Sequence, residues 1–239
     1  MHLYGQLAPV ERLTGTGVPV VEDAAQCQGA TRHGRPAGSW DIAATSFYPG
    51  KNLGAYGDAG AVVTTDAALA EAVRAMANHG GPGKYRHETL GWNSRLDALQ
   101  AVVLRSKLSR LSDWNRLRRA AAARYDELLN TLDVVRPAVL VGNEPVWHLY
   151  VVRIPGDGTP RRRDRVLARL AAAGIGAGVH YPAPIHRLPA FAHLGYPPGA
   201  LPHAEAAAAQ ILSLPLYPHI TPAQQEFVAD QLAAALDEC

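Results

Sequence analysis

The apolar residues of this chain come first as short, β-branched runs and only later at helical spacing. Pro19-Val20-Val21 stops at Glu22-Asp23, a run over residues 42–48 stops at Pro49-Gly50, and Gly60-Ala61-Val62-Val63-Thr64-Thr65 follows a glycine-rich stretch. Each predicts a buried strand that delivers polar residues at its C-terminal end. Asp66 stands where an N-cap belongs, ahead of a helix predicted over residues 67–78. Short apolar strands with helices between them predict a sheet covered on both faces, with ligands beyond the carboxyl ends of its strands. Asp23 and Lys51 both fall near such an edge.

From Arg95 the period changes. Leu96, Leu99, Val103, Leu108, Leu111, Trp114, Leu117, Tyr125 and Leu128 recur at three and four, which predicts one long helix or a broken pair joining two domains. After Pro137 the composition changes to Val139-Leu140-Val141, and the alternating His148-Leu149-Tyr150-Val151-Val152-Arg153 predicts a half-exposed strand. A helix over residues 161–173, a Pro/His-rich loop over 180–202 and a helix over 222–236 complete a small α/β unit. The expected division is a large-domain portion over 1–112, then the connecting helix and small domain over 113–239.

Composition narrows the classes. With 239 residues, 48% apolar and 18% charged, the chain belongs with folded globular proteins, not disordered ones. A net charge of +2 is too small to predict a nucleic-acid binder, and the run Arg161-Arg162-Arg163 with Arg165 reads as a solvated helix start. Cys27 and Cys239 have neither disulfide-framework nor metal-ligand spacing, which points to a reducing cytoplasm and no metal. No stretch has the apolar length of a membrane span, and the N-terminal residues lack the pattern of a secretory signal.

Of the 23 basic residues only Lys51, Lys84 and Lys107 are lysines. Arginine serves elsewhere, so a retained lysine is a candidate for chemistry that needs an amine: imine formation or loss of a proton. Lys51, between Gly50 and Asn52 in a loop after an apolar run, is the strongest candidate, although an ordinary loop lysine fits the same pattern. Asp23, with Gln26 three residues later, either caps a following helix or pairs with a buried cation such as a protonated pyridine nitrogen.

Together these segments resemble a known family. Glu22-Asp23-Ala24-Ala25-Gln26, Ser46-Phe47-Tyr48-Pro49-Gly50-Lys51-Asn52-Leu53-Gly54, Gly57-Asp58-Ala59-Gly60-Ala61 and Gly91-Trp92-Asn93-Ser94-Arg95-Leu96-Asp97 are similar to motifs of the pyridoxal-phosphate-dependent sugar aminotransferases of the DegT/DnrJ/EryC1/StrS family. His180-Tyr181-Pro182-Ala183-Pro184-Ile185-His186 and Leu212-Ser213-Leu214-Pro215-Leu216-Tyr217-Pro218 resemble that family's small domain. The resemblance implies an α/β fold of the aspartate aminotransferase-like, fold type I class, with an incomplete large domain and a small C-terminal α/β domain. It implies the cofactor pyridoxal 5'-phosphate, a keto-sugar substrate carried on a nucleotide, and glutamate or glutamine as amino donor.

Carried over by position, Lys51 matches the lysine that bonds the cofactor and shuttles the proton, and Asp23 the carboxylate on the pyridine nitrogen. Gln26 matches the amide near the ring hydroxyl, Ser46 the hydroxyl at the phosphate, and Asn93 an asparagine that reaches the neighbouring subunit's phosphate, implying a homodimer. His180 lies in a segment resembling a substrate-side wall. Related dehydratases have histidine in the lysine position, and Lys51 argues against them. Family members carry a longer segment ahead of the one resembling Met1-His2-Leu3-Tyr4-Gly5-Gln6, so a second expectation is a catalytically incomplete chain acting as a partner subunit or remnant.

Overall fold

A computed structural model describes residues 1–239 and divides into two compact units. The first comprises Met1–Arg119 with Val139–His148, the second Ala120–Ala138 with Leu149–Cys239.

The first unit is built on β1 (Val21–Asp23), β4 (Ile42–Ser46) and β5 (Gly60–Thr64), in the order β1-β4-β5. β1 runs parallel to β4, with Asp23 opposite Ala44, and β5 returns antiparallel, with Gly60 opposite Ser46. Side chains alternate between faces along each strand. Glu22 and Ala43 point into a core shared with Leu7, Ala24, Cys27, Ala30 and Val146. The other face is open: Val21 is 69% exposed and Val62 41%, and even Val63 on the core side is 48% exposed. The expectation of a sheet covered on both faces is therefore not met, because that core supplies apolar partners on one side only. Helix α1 (Ala67–Ala77) follows β5 and buries none of its side chains. Its start is the one expected, since the Asp66 carboxylate accepts from the amides of Ala68 and Leu69 at 2.8 and 3.1 Å.

A small second sheet pairs β2 (Thr31–Arg32) with β3 (Arg35–Pro36) and with β6 (Asn143–Glu144). Residues 139–141 form no strand. The Leu140 amide donates to the Gln6 side chain and the Val141 carbonyl accepts from Arg32, so side chains satisfy this backbone in place of a neighbouring strand. Arg32 also forks onto Glu11, with contacts of 2.6 to 3.1 Å.

The long helix α2 (Ala98–Leu128) starts in the first unit and ends in the second. In the first unit Leu104 and Leu111 bury against Leu53 and Ala55. Leu99, Val102 and Leu108 stay exposed. No helix of the chain is long and apolar enough to cross a membrane.

The second unit pairs β7 (Tyr150–Arg153) antiparallel with β8 (Ile211–Leu214); α3 (Arg161–Ala172) packs on β8 and on α5 (Pro222–Glu238), and α4 (Pro202–Gln210) runs directly into β8. Val152, Val166, Leu170, Leu212 and Leu232 are buried, as are Tyr150 and Val151, so β7 is not the half-exposed strand expected. Thr221 and Gln224 form a reciprocal capping box at the start of α5. The arginine run at the start of α3 is not uniformly solvated. Arg163 is buried and donates to the carbonyls of Ala208 and Ile211 at 3.3 and 3.0 Å, where α4 ends and leaves carbonyl groups without helical partners. Arg163→Met should therefore cost about 2 kcal/mol in urea unfolding, through two buried carbonyls left unpaired. Arg161→Met, at an exposed position of the same run, should cost less than about 0.5 kcal/mol.

Candidate active site

The parallel pairing of β1 and β4 makes both strands leave the sheet at one edge. Asp23 is opposite Ala44, and Ser46, two residues on, projects from the same open face. The exit is pinned by the Ala24 amide on the Ala44 carbonyl at 2.8 Å and by the Thr45 hydroxyl on the Ala24 carbonyl at 3.0 Å. The exposed carboxylate of Asp23 accepts only from the Ala25 amide, at 3.1 Å.

Behind Asp23 the opposite face is closed by a buried polar pair. His2 Nδ1 accepts from the Ala8 amide at 3.0 Å, so its ring hydrogen is on Nε2, which donates to Glu22 Oε2 at 2.8 Å. Glu22 Oε1 accepts from the Gly38 amide at 2.9 Å, and the His2 amide donates to the Asp23 carbonyl at 2.9 Å. Burial lowers the pKa of His2, which keeps the ring neutral. Gln26 is buried beside this segment, and its carbonyl oxygen accepts from the Tyr4 amide at 2.6 Å.

Lys51 lies in the turn that follows β4. Its amide donates to the Tyr48 carbonyl at 2.9 Å, and Ser46 Oγ accepts from the Tyr48 amide at 3.2 Å. The Ala55 amide returns to the Phe47 carbonyl at 2.7 Å, which folds residues 47–55 into a closed loop. Gly54 is required there, since a Cβ would collide with the Pro49 carbonyl. From α2, Lys107 donates to the Gly54 carbonyl at 2.6 Å with its ammonium 4.5 Å from the Tyr56 ring centre, and Gln100 accepts from the Tyr56 amide at 2.8 Å. Lys107 is thereby part of the loop's support.

Asp23, Gln26, Ser46 and Lys51 thus share one sheet edge and the loops that leave it. Asn93 stands apart, exposed in the stretch before α2, where it pairs with Asn78. His180 belongs to the second unit; its Nδ1 lies 2.8 Å from Ser213 Oγ, and burial lowers its pKa. Sequence reading missed Gln28, whose amide nitrogen reaches the Ala25 carbonyl, the Thr45 hydroxyl and the Ser46 carbonyl at 2.8 to 3.1 Å. No periodicity or motif marks such a residue; only its closeness in sequence to Asp23 could have drawn attention to it.

The donor set fits pyridoxal phosphate: a carboxylate for a ring nitrogen, a hydroxyl for a phosphate, and an amine on a fixed loop. Comparison with known proteins decides the family. The sequence profile of the DegT/DnrJ/EryC1/StrS aminotransferase family matches residues 1–233. The chain belongs to that family. It is 46% identical, over 96% of its length, to the dTDP-3-amino-3,4,6-trideoxy-alpha-D-glucose transaminase of Streptomyces venezuelae, covering 61% of that protein. It is 45% identical, over 98% of its length, to the erythromycin biosynthesis sensory transduction protein EryC1 of Saccharopolyspora erythraea, covering 64% of it. The crystal structure of S. venezuelae DesV in complex with a ketimine intermediate superposes with a TM-score of 0.92 at 45% identity, covering 99% of this chain and 64% of that one. The chain spans just under two thirds of the length of these relatives. Like other DegT/DnrJ/EryC1/StrS proteins it has the fold type I, aspartate aminotransferase-like architecture.

The His2–Glu22 pair gives this family member a pH signature. Unfolded, His2 takes up a proton at its ordinary value of 6.5, while burial makes the folded chain resist protonation to lower pH. Stability contributed by the neutral, buried ring is thus present above 6.5 and is lost as pH falls below it. His2→Asn should lower the urea midpoint most at about pH 7.5 and less at about pH 5.5. A difference independent of pH would contradict this account.

Proposed function

We propose that this chain carries out pyridoxal-phosphate-dependent transfer of an amino group to a keto sugar borne on a nucleotide, with glutamate or glutamine as donor. The observation that carries the proposal is the placement of Asp23 and Ser46 on one face of a parallel strand pair, with Lys51 in the closed loop immediately beyond. Family membership and the names of the S. venezuelae relatives support it.

Bound at this edge, pyridoxal phosphate supplies an electron sink for the carbon that gives up or receives the amino group. Asp23 would hold the ring nitrogen in its protonated form, since a nearby carboxylate favours a positive charge. Gln26 would stand at the ring hydroxyl and Ser46 at the phosphate. Lys51 would hold the cofactor through its amine and would move the proton at the donor carbon, a role an arginine cannot fill near neutral pH. His180 would face the sugar. Asn93 would reach the phosphate of a second copy, making the working form a homodimer. The free thiols of Cys27 and Cys239 support a reducing compartment, the cytoplasm.

A second reading, of a partner subunit without catalysis of its own, is favoured by the exposed Val21, Val62 and Val63 on the sheet and Leu99, Val102 and Leu108 on α2. Apolar surface of this kind favours association in either case.

Added pyridoxal phosphate should produce an absorbance band at the edge of the visible that is absent in Lys51→Ala. Asp23→Asn should keep the band and lose about tenfold to a thousandfold in turnover, the span expected when a carboxylate's support for a protonated ring is removed. A chain that shows no Lys51-dependent band but still associates would favour the partner-subunit reading. In sedimentation at micromolar concentration the chain should run as a dimer or larger species, and a monomer at all concentrations would contradict both readings.

A further inference from the structure

The residue after Lys51 is buried and fully engaged. Asn52 Nδ2 donates to the Val146 carbonyl at 3.0 Å and to Asn115 Oδ1 at 3.2 Å, and Asn52 Oδ1 lies 3.1 Å from His148 Nδ1, which must be the donor because an amide oxygen only accepts. Asn115, also buried and on α2, passes the chain on by donating to the Gln28 carbonyl at 2.9 Å. The Gln28 side chain then donates to the Ser46 carbonyl at 2.8 Å and to the Thr45 hydroxyl at 3.0 Å. Residues 46–52 are therefore gripped at both ends by one hydrogen-bonded chain, Gln28 at the start and Asn52 at the end, with Asn115 joining the two. The fit is close: a Cβ on Gly29, whose φ is +89°, would lie 2.7 Å from Asn115 Nδ2.

A side-chain amide offers two donors and an acceptor from one uncharged group, which suits a relay that runs through the buried Asn52 and Asn115. The Gln28 end also holds the Ala25 carbonyl at 3.1 Å, next to the amide that caps Asp23. Resting on the cofactor reading above, the structure assigns Gln28, Asn115 and Asn52 as positioning residues that fix where Lys51 stands relative to Asp23. None of them touches the reacting atoms. Their effect is on placement, and displacements of about 1 Å at a reacting group cost on the order of a hundredfold in rate.

Hydrogen exchange on the full chain without cofactor reads the relay directly. Asn52→Ala and Asn115→Ala should each speed exchange in residues 46–54 by roughly tenfold, with exchange in α1 unchanged. The double variant should add little to either single one, because both cut the same chain. If Asn115→Ala does not fold, Asn115→Ser takes its place; its hydroxyl is too short to span Gln28 and Asn52 at once. With pyridoxal phosphate added, both variants should need about tenfold more cofactor for half-saturation of the Lys51-dependent band and should shift the pH midpoint of that band. Exchange unchanged in residues 46–54, exchange raised equally in α1, or a band with unaltered half-saturation and midpoint would each overturn the assignment. Absence of the band from the unsubstituted chain would overturn the cofactor reading instead, and the exchange pattern alone would then decide whether the relay holds the segment.

Discussion

Two strands that run side by side in the same direction must release the chain at the same edge, and in the first unit this constraint organises everything near the candidate site. The pairing of Asp23 with Ala44 sets the carboxylate and the Ser46 hydroxyl on one face. Because β5 returns antiparallel with Gly60 opposite Ser46, the whole stretch 47–59 is also confined to that edge. Lys51 is brought there by topology before any side chain acts on it. Hydrogen bonds and the packing of Leu53 and Ala55 against α2 then remove the freedom that topology leaves.

That refinement is largely polar, with His2, Glu22, Asn52, Asn115 and Arg118 all buried in the first unit. Glu22 is matched by His2 and the Gly38 amide, and the Asn52 amide is matched by Asn115, which donates in turn to the Gln28 main-chain carbonyl. Arg118 is lowered to about 10 by burial, yet it stays charged at neutral pH and donates to the Trp147 carbonyl at 3.1 Å. Each of these groups would be costly if left alone, so together they specify one arrangement more sharply than interchangeable apolar contacts do. Gly5 makes the last of these approaches possible, since a Cβ there would lie 2.7 Å from the His148 amide.

Much of this was legible in the sequence where a local rule is strong. The strands near Asp23 and over the run that starts at residue 42, the Asp66 cap, the long helix and the terminal helix follow from apolar period and capping chemistry, although β4 ends at Ser46, short of the apolar run, and the motifs around Asp23 and Lys51 carried the family. What was illegible depends on partners distant in sequence. The return of residues 139–148 to the first unit rests on Arg32, Gln6 and Gly5, more than a hundred positions away, and leaves no periodic trace. Arg163 sits in a run that reads as solvated, but α3 turns this one guanidinium inward onto the end of α4. Helix α4 and strand β8 abut without a turn between them, so neither stood out from the Pro/His-rich stretch before them. The amide relay shares this invisibility: asparagine and glutamine look like solvated residues until the structure shows Asn52 and Asn115 buried.

The contact between Lys107 and the Gly54 carbonyl bears on chemoselectivity. A chain that uses one amine as its nucleophile faces competition from any other amine that can reach the same electrophile, and Lys107 serves the very loop that holds Lys51. Its ammonium group is committed to a carbonyl on one side and to the Tyr56 ring on the other. The third lysine, Lys84, is in an exposed stretch against Tyr85. With only three lysines in the chain and Lys107 tethered, a carbonyl compound at this edge would, on the proposed function, meet the amine of Lys51 without competition from Lys107.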